Sequence, residues 1–209
     1  MAQPRNFAAG RYSISGTDRG IALKEVARAA FVREKLPQGI EPGLDEEGTY
    51  IPTQETFPNG CHICEVEIDP DTGSIELIGY WVVDDVGTEV NPLTLKGQVI
   101  GGVVQGVGQI LMEQIAYDAD SGQLLTASFM DYAMPRASDL CNIAVGSHPV
   151  PTKLNPLGVK GAGEAGTVGA MPVVMSAILD ALAPLGVRSF DMPATPERVW
   201  RAIQDAPEP

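Results

Sequence analysis

A single carboxylate, Glu164, lies within the glycine-rich stretch "GVKGAGEAGTVGAMP" at residues 158–172. Glycine has no side chain, so a backbone rich in glycine lets other atoms approach closely. A carboxylate enclosed by such backbone in a partly apolar pocket would lose solvation and would bind a proton more readily. The pattern therefore predicts that Glu164 is a general base, a role that requires a carboxylate of raised proton affinity.

A polar amide, Gln105, lies within the apolar and glycine-dense segment "VIGGVVQGVGQILM". The surrounding residues predict that this amide is buried, and a buried amide must be hydrogen-bonded to avoid a free-energy cost. Its partner could be the protein backbone. The alternative is a polar heterocycle that lies against Gly101, Gly102 and Gly106.

The glycine-rich stretch has two further interpretations. The segment "GAGEAG" matches the G-x-G-x-x-G spacing of dinucleotide sites, but no β-branched run precedes it and Asp180 falls within the following helix. A nicotinamide or flavin site requires that context, and it is therefore disfavoured. A simple glycine-rich turn before a helix explains about two of the glycines but not the glutamate among them.

The motif "CHIC", with Cys61 and Cys64, raises the question of a redox or metal site. A zinc site needs two more ligands, and only Cys141 and His148 are available, without paired spacing. Buried structural cysteines are the favoured interpretation. Ordinary surface or core roles are expected for His148 and His62, because neither has an acid and a nucleophile arranged around it in the sequence.

The elements that position these residues follow from the pattern of apolar residues. Alternation in "CHICEVEI" and "IELIGYWVV", on either side of "DPDTG", predicts a β-hairpin that ends in two turn residues, Asp84 and Asp85. A second hairpin is predicted around "DADSG", and one strand is predicted in "CNIAVGSHPVP".

Helices are predicted in four places. A short helix is expected within "GTDRGIALKEVARAAFVREKLPQG", and a buried, tightly packed helix is expected from about Pro92 onward. A third is expected to begin near Gly169 with Pro172 in its first turn, and a closing helix is expected in "MPATPERVWRAIQ". The predicted fold class is α+β, in which β-hairpins and a mixed sheet pack with two or three of these helices.

Composition excludes several classes of function. The 209 residues carry a formal net charge of −13, which disfavours binding to nucleic acid or to anionic membranes. No run near the roughly 20 apolar residues of a membrane span is evident, and no secretory leader is recognised. Three cysteines without a disulfide pattern favour a cytoplasmic location. The chain is interpreted as one domain, with a helix and connector at 1–48 and a core at 49–209.

Four segments resemble the molybdenum hydroxylases, the family of xanthine dehydrogenase, aldehyde oxidase and aerobic carbon monoxide dehydrogenase. They are "GQVIGGVVQGVGQILMEQ", "MDYAMP", "NPLGVKGAGEAGTVGAMPVVMSAILDAL" and "MPATPERVW". The resemblance is to the C-terminal portion of the family's large, molybdopterin-binding subunit, which is several times longer. It implies that this chain is part of a cofactor-binding domain that another segment or another chain completes.

The resemblance also implies roles for individual residues. The family's glutamate beside the metal falls on Glu164, where it would accept a proton during hydroxylation with water-derived oxygen. The family's pterin-binding glutamine falls on Gln105. The further positions assigned to cofactor binding are Gly106, Lys160, Gly161 and Gly163, and no residue is assigned as a metal ligand.

The implied cofactor is molybdenum-molybdopterin, in its cytosine dinucleotide form, shared with another chain or segment. The implied partners are the remainder of the molybdenum subunit, an iron–sulfur subunit and an FAD subunit, since no cysteine pattern here could hold a cluster. The implied substrate is a small molecule with an electron-poor carbon: an aldehyde, an N-heterocycle or carbon monoxide. The cysteine-bearing loop of true carbon monoxide dehydrogenases is absent. The alternative function is a non-catalytic packing or docking domain without a cofactor of its own.

Overall fold

The structure is a computed structural model, and it describes residues 5–45 and 47–206. The chain divides into two compact units, residues 1–51 and 52–209. Helices and strands occur in both units, so the predicted α+β class is confirmed. The proposed division of one domain at 48/49 stays a prediction.

The first unit contains a small antiparallel sheet that the sequence analysis missed. Its strands pair in the order β1–β2–β3, and a short helix, α1, follows directly. The helix was predicted, but it is shorter than expected because the residues before it belong to the third strand. The elements are β1 (Arg5–Ala8), β2 (Arg11–Ile14), β3 (Gly20–Ala22) and α1 (Leu23–Ala29).

A tight turn connects β1 and β2. Ala9 and Gly10 both have positive φ angles, 48° and 72°, as the two central residues of a type I′ hairpin turn require. Phe7 and Tyr12 pair across the strands with their ring centroids 4.6 Å apart. The turn escaped prediction because alanine rarely adopts a positive φ.

The second unit is built on a mixed three-stranded sheet. β4 (Asn59–Ile68) and β5 (Ile75–Asp85) form the predicted antiparallel hairpin, and β6 (Ile143–Ser147) is the predicted single strand, parallel to β5. The connecting turn is held by Asp69, whose carboxylate accepts bonds from its neighbours in "DPDTG". The hairpin prediction is therefore confirmed.

Three helices accompany this sheet: α2 (Pro92–Leu111), α3 (Ala165–Leu182) and α4 (Pro196–Gln204). The start of α2 agrees with the sequence, because Pro92 is its first residue. The Asn91 side chain caps it by accepting from the backbone N–H groups of the second and third helical residues, at 3.1 and 3.2 Å.

One prediction in this unit is wrong, and another is confirmed only at its turn. α3 begins at Ala165 rather than near Gly169, so Pro172 lies inside the helix and removes one intrahelical hydrogen bond instead of occupying the first turn. The second hairpin is reduced to one isolated bridge between Tyr117 and Leu124 around the predicted turn. The residues after this bridge form no further strand before β6.

The glycines of α2 allow α3 to pack at very short range. A Cβ atom at Gly106 would lie 2.7 Å from the Cβ of Ala170, and one at Gly102 would lie 3.0 Å from the backbone nitrogen of Thr167. A Cβ at Gly166 would lie 2.8 Å from the nitrogen of Val103. The contacts advance together along both helices, so the two helices run in the same direction, with the start of α3 against the middle of α2.

The core lies between the sheet and these helices. Its largest fully buried side chains from the sheet and from α2, α3 and α4 are Tyr80, Val82, Val99, Val103, Val107, Ile110, Val174, Ile178, Leu182 and Val199. Contrary to the sequence analysis, residues Ala165–Leu185 are long and apolar enough to span a membrane. Core helices of soluble proteins satisfy the same test, and one face of α3 belongs to this core.

Candidate functional site

Glu164 lies at the N-terminal end of α3. It is the N-cap residue, with φ −108° and ψ −3°, and its carbonyl accepts the first helical hydrogen bond from Val168 N–H at 3.0 Å. Its side chain makes no capping bond and is exposed in this chain. The expectation of a tight, water-poor pocket around this carboxylate is therefore not met by the chain's own residues.

Gln105 lies in α2, and its side chain is exposed rather than buried. The sequence misled here because the apolar residues around it face the core, whereas position 105 falls on the opposite side of the helix. Its Oε1 lies 3.2 Å from the hydroxyl of Thr167 in α3. The amide therefore has a protein partner, and its NH₂ group remains available at the surface.

The two predicted residues lie along one seam between α2 and α3. Thr167 is one helical turn after Glu164 and contacts Gln105, so both side chains lie where the start of α3 packs against the middle of α2. Gln98 in α2 donates from Nε2 to the carbonyl of Gly163 at 2.9 Å, on the other side of Glu164. The structure thus places Glu164 and Gln105 along the same contact between α2 and α3, linked through Thr167.

An uncovered stripe on α2 leads to Gln105. Gly97, Gly101 and Gln105 are four residues apart and therefore share one face of the helix. All three are exposed, and a Cβ atom at either glycine would meet nothing within 4 Å. These glycines serve no packing within the described residues, in contrast to Gly102 and Gly106, which contact α3.

The other glycines predicted to bind cofactor occupy different environments. Gly163 is exposed, and a Cβ there would meet nothing within 4 Å; a Cβ at Gly161 would first meet the carbonyl oxygen of Thr56, at 3.6 Å. Gly106 is buried, and its position is explained by contact between α2 and α3.

Lys160 forms a shielded ion pair with Asp85 at the end of β5. Its Nζ lies 2.5 Å from Asp85 Oδ2, and both side chains are only 12% exposed. Asp85 Oδ1 accepts from the backbone N–H groups of Gly87 and Val150, both at 2.9 Å. The Lys160 N–H also donates to the carbonyl of Val86 at 2.9 Å. This network joins the loop before Glu164 to the end of the sheet.

The Asp85 network predicts a pH-dependent stability. The hydrogen bond from Lys160, followed by those from Val150 and Gly87, lowers the pKa of Asp85 to about 2. Since this pKa lies below the unfolded value of about 4, the stabilisation is present above pH 4 and is lost as the pH falls towards 2. We expect Asp85→Asn to be less stable than wild type at pH 6.

The measurement is the urea midpoint of the two proteins between pH 6 and pH 2. The difference in urea midpoint between wild type and Asp85→Asn should narrow below pH 4, because the Asp85 carboxylate of the wild type then becomes protonated. Lys160→Met removes the hydrogen bond that contributes most to the lowered pKa of Asp85. The difference in urea midpoint between wild type and Lys160→Met should therefore also narrow below pH 4. A difference between wild type and Asp85→Asn that stays constant down to pH 2 would contradict the assignment.

A buried polar network escaped the sequence analysis. His62 lies between Tyr80 Oη, 2.6 Å from its Nδ1, and Asp84 Oδ1, 3.3 Å from its Nε2. The His62 and Asp84 side chains are 6% and 7% exposed, so Asp84 is a buried partner of histidine rather than a turn residue. A Cβ at Gly169 would lie 2.5–2.6 Å from the His62 ring, so this glycine lets α3 cover it. No sequence signal linked these residues, which come from two strands and a helix.

The cysteines are free thiols in the part of the chain that the structure describes. Cys61 is exposed, so the prediction that the cysteines are buried is wrong for this residue; Cys64 and Cys141 are partly buried. Burial, together with the neighbouring Cys141, raises the pKa of Cys64 to about 12. Among residues 5–45 and 47–206, no group of three or more His, Cys, Asp or Glu side chains could hold a metal ion.

A large cleft lies away from Glu164 and Gln105. About 1200 Å³ in volume, it is lined by residues of β5, the end of α2 and the segment 129–141, and by none of the predicted site residues. Glu164 and Gln105 are both exposed, so the surface around them is open in this chain.

Comparison with known proteins identifies the class. The family model described as the molybdopterin cofactor-binding domain matches residues 2–141, which is more than half of the chain. The chain belongs to this family of the molybdenum hydroxylases, and the resemblance stated from the sequence is confirmed.

Individual relatives match nearly the whole chain. It is 37% identical, over 95% of its length, to 6-hydroxypseudooxynicotine dehydrogenase complex subunit gamma of Paenarthrobacter nicotinovorans, of which it covers 25%. It is 34% identical, over 93% of its length, to the carbon monoxide dehydrogenase large chain of Hydrogenophaga pseudoflava, of which it covers 24%. The chain thus spans about a quarter of the length of these curated relatives.

A solved structure supports the same fold. The quinoline 2-oxidoreductase of Pseudomonas putida 86 superposes with a TM-score of 0.85 at 36% identity, over 97% of this chain and 26% of that one. The architecture therefore extends over both the matched family region and the segment that carries Glu164.

The exposed residues fit a molybdopterin group. A flat heterocycle needs bare backbone and an amide donor or acceptor, which the stripe of Gly97, Gly101 and Gln105 offers. Its phosphates need N–H donors, and the first turn of α3 has helix N–H groups without intrahelical partners. We find no side chain within the described residues that would fill the space above the two glycines.

Proposed function

We propose that this chain forms the Glu164-bearing portion of a molybdenum hydroxylase. The complete enzyme hydroxylates an electron-poor carbon with water-derived oxygen, and its substrate is an aldehyde, an N-heterocycle or a molecule like carbon monoxide. The chain is inactive without the segments or subunits that complete the site.

One observation carries this proposal. The uncovered stripe on α2 ends at Gln105, whose amide contacts Thr167, one turn after Glu164. A carboxylate at the start of α3 and an amide and bare backbone along α2 thus lie near one another, on a surface where Gly97, Gly101 and Gln105 are exposed. This is the arrangement expected where another segment places a cofactor against this chain.

Each residue has a distinct role in this proposal. Glu164 accepts, on its carboxylate, the proton of the water-derived oxygen that attacks the substrate carbon. The exposed NH₂ of Gln105 donates to the pterin, while Gly97 and Gly101 allow its close approach. The molybdenum cofactor, when bound, supplies the oxidation of the substrate carbon. Lys160 binds Asp85 and orders the loop of Gly161 and Gly163 beside the cofactor.

The proposal extends to the assembly. The cofactor is the cytosine dinucleotide form and is shared with the remainder of the molybdenum subunit. Iron–sulfur and FAD subunits remove the electrons in the cytoplasm. The names of two relatives, a complex subunit gamma and a large chain, support a multi-subunit assembly.

A docking function without a cofactor is the second candidate. It is favoured by the outer face of the sheet, where Ile63, Trp81 and Val83 are 59%, 45% and 48% exposed. A docked partner would cover these apolar side chains. A docking function does not explain Gly97 and Gly101, where an added Cβ would meet nothing within 4 Å. The uncovered stripe on α2 therefore distinguishes the two candidate functions, because only cofactor binding explains it.

The experiment measures molybdenum and cytosine nucleotide in this chain assembled with the remainder of its subunit. We expect Gln105→Ala to lower the cofactor content about tenfold, since a lost hydrogen bond to a buried ligand costs about 1.5 kcal/mol. Gln109→Ala is the matched control: the same residue type, exposed, about 6 Å further along α2 and away from the start of α3. Its cofactor content should equal that of wild type.

Two outcomes would contradict the proposal. An assembled wild-type protein without molybdenum would favour the docking function. Equal cofactor content in wild type and Gln105→Ala would show that the Gln105 amide does not bind the cofactor. Tight binding of a nicotinamide nucleotide by the chain would instead support the dinucleotide interpretation.

A further inference from the structure

The peptide immediately before Glu164 is held by a side chain from another helix. Gln98 Nε2 in α2 donates to the Gly163 carbonyl at 2.9 Å, across 65 residues of sequence. Gly163 cannot restrict its own backbone, because it has no side chain and a Cβ there would meet nothing within 4 Å. The bond from Gln98 therefore supplies the restraint that this glycine lacks.

The other side of Glu164 is held by Thr167. Its hydroxyl lies 3.0 Å from the carbonyl oxygen of Gly102 and 3.2 Å from Gln105 Oε1, and its single proton is donated to one of them at a time. A Cβ at Gly102 would lie 3.2 Å from this hydroxyl. The absence of a side chain at position 102 is what lets the hydroxyl reach the α2 backbone.

The Glu164 side chain has no anchor of its own. It makes no capping hydrogen bond and is exposed. Its direction is therefore determined by the backbone from which it leaves, at the point where the loop becomes helix. A general base must hold its geometry closely, since a displacement of about 1 Å can reduce turnover about 100-fold.

We propose that Gln98 and Thr167 are positioning residues for Glu164: they fasten the first turn of α3 to α2 from both sides of the carboxylate. This inference rests on the proposed role of Glu164 as base. It concerns two residues that contact neither reacting atoms nor substrate and act through the backbone of residues 163–167.

Amide hydrogen exchange of the full chain tests the anchoring without any cofactor. Val168 N–H donates to the Glu164 carbonyl, so exchange at residues 168–170 reports opening of the first turn. Thr167→Val removes the hydroxyl at nearly constant shape, and we expect exchange there to rise about five- to tenfold, as expected for one lost hydrogen bond. Thr167→Ser keeps the hydroxyl and should restore wild-type exchange.

Two internal controls separate anchoring from general destabilisation. Amides of residues 176–182, at the far end of α3, should exchange at the wild-type rate in Thr167→Val. Gln98→Leu should accelerate exchange at 168–170, whereas Gln109→Leu, at an exposed position on the same helix without a hydrogen bond to α3 among the described residues, should not.

The assembled enzyme supplies the second readout. We expect Thr167→Val and Gln98→Leu to lower kcat about tenfold, with KM and molybdenum content near wild type, and Thr167→Ser to keep most of the activity. A parallel fall in molybdenum content would instead show that these residues support cofactor binding through Gln105, and it would overturn the inference.

The result that refutes the inference is distinct from the one that refutes the proposed function. Unchanged exchange at 168–170 in both variants, or an equal increase along the whole of α3, would show that Gln98 and Thr167 do not fasten the first turn. Normal turnover of Glu164→Gln would instead refute the role of Glu164 as base. The anchoring of α3 by Gln98 and Thr167 would then remain as a purely structural feature.

Discussion

Glu164→Gln is expected to reduce kcat of the assembled enzyme by about 100- to 10,000-fold, the range that a positioned general base contributes. The amide keeps the shape of the carboxylate but cannot accept a proton. Because the Glu164 side chain is exposed and makes no capping bond, the substitution removes no contact that stabilises the fold. Molybdenum content and the urea midpoint should therefore match those of wild type.

The control for this experiment lies on the same helix. Asp180→Asn makes the same acid-to-amide change at an exposed position near the other end of α3, and it should leave kcat unchanged. The variants are compared by steady-state kinetics with a molybdenum determination on each preparation. Normal turnover of Glu164→Gln at full molybdenum occupancy would refute the catalytic role.

Local sequence signals predicted the parts of the fold that depend on neighbouring residues. Alternating side chains and the "DPDTG" turn determine the β4–β5 hairpin, and Asn91 with Pro92 determines the start of α2. The density of glycine in α2 correctly indicated close packing by a neighbour, which is α3. These features are local, so one sequence contains enough information to predict them.

Features that depend on tertiary context could not be predicted. The start of α3 was misplaced because Pro172 resembles a first-turn residue, whereas the helix, packed against α2, begins about four residues earlier than predicted, at Ala165. The network of His62, Tyr80 and Asp84 joins residues that only the paired strands bring together. The type I′ turn at Ala9 was missed because its residue type is unusual for that conformation.

In the candidate site, too, local features could be predicted from the sequence and features that depend on tertiary context could not. The residue types and the family resemblance identified Glu164 and Gln105, and the helix pair brings their neighbourhoods together. Their exposure was not predicted, because it depends on what covers the surface, and this chain spans about a quarter of the length of its relatives. Sequence alone also could not separate glycines that pack α3 from those that leave the surface open.

Gly166→Ala tests whether the glycines at the contact between α2 and α3 are required for packing, and it is expected to have the largest effect on stability. A Cβ at this position would overlap the Val99 carbonyl oxygen and would lie 2.8 Å from the Val103 nitrogen. Both are helix backbone atoms that cannot move aside, so α2 and α3 must separate. We expect a loss of about 2–3 kcal/mol in the free energy of unfolding, in spite of a gain of about 1 kcal/mol in helix propensity.

The matched substitutions are Gly97→Ala and Gly101→Ala, which add the same methyl group to an open surface of α2. Without a clash, only the helix propensity changes, and each should stabilise the chain by about 0.5–1 kcal/mol in urea unfolding. In the assembled enzyme the same two variants should lose molybdenum, because the methyl group occupies the space proposed for the cofactor. Destabilisation by Gly101→Ala in the chain alone, or full molybdenum content in its assembled form, would show that these glycines do not hold the surface open for a ligand.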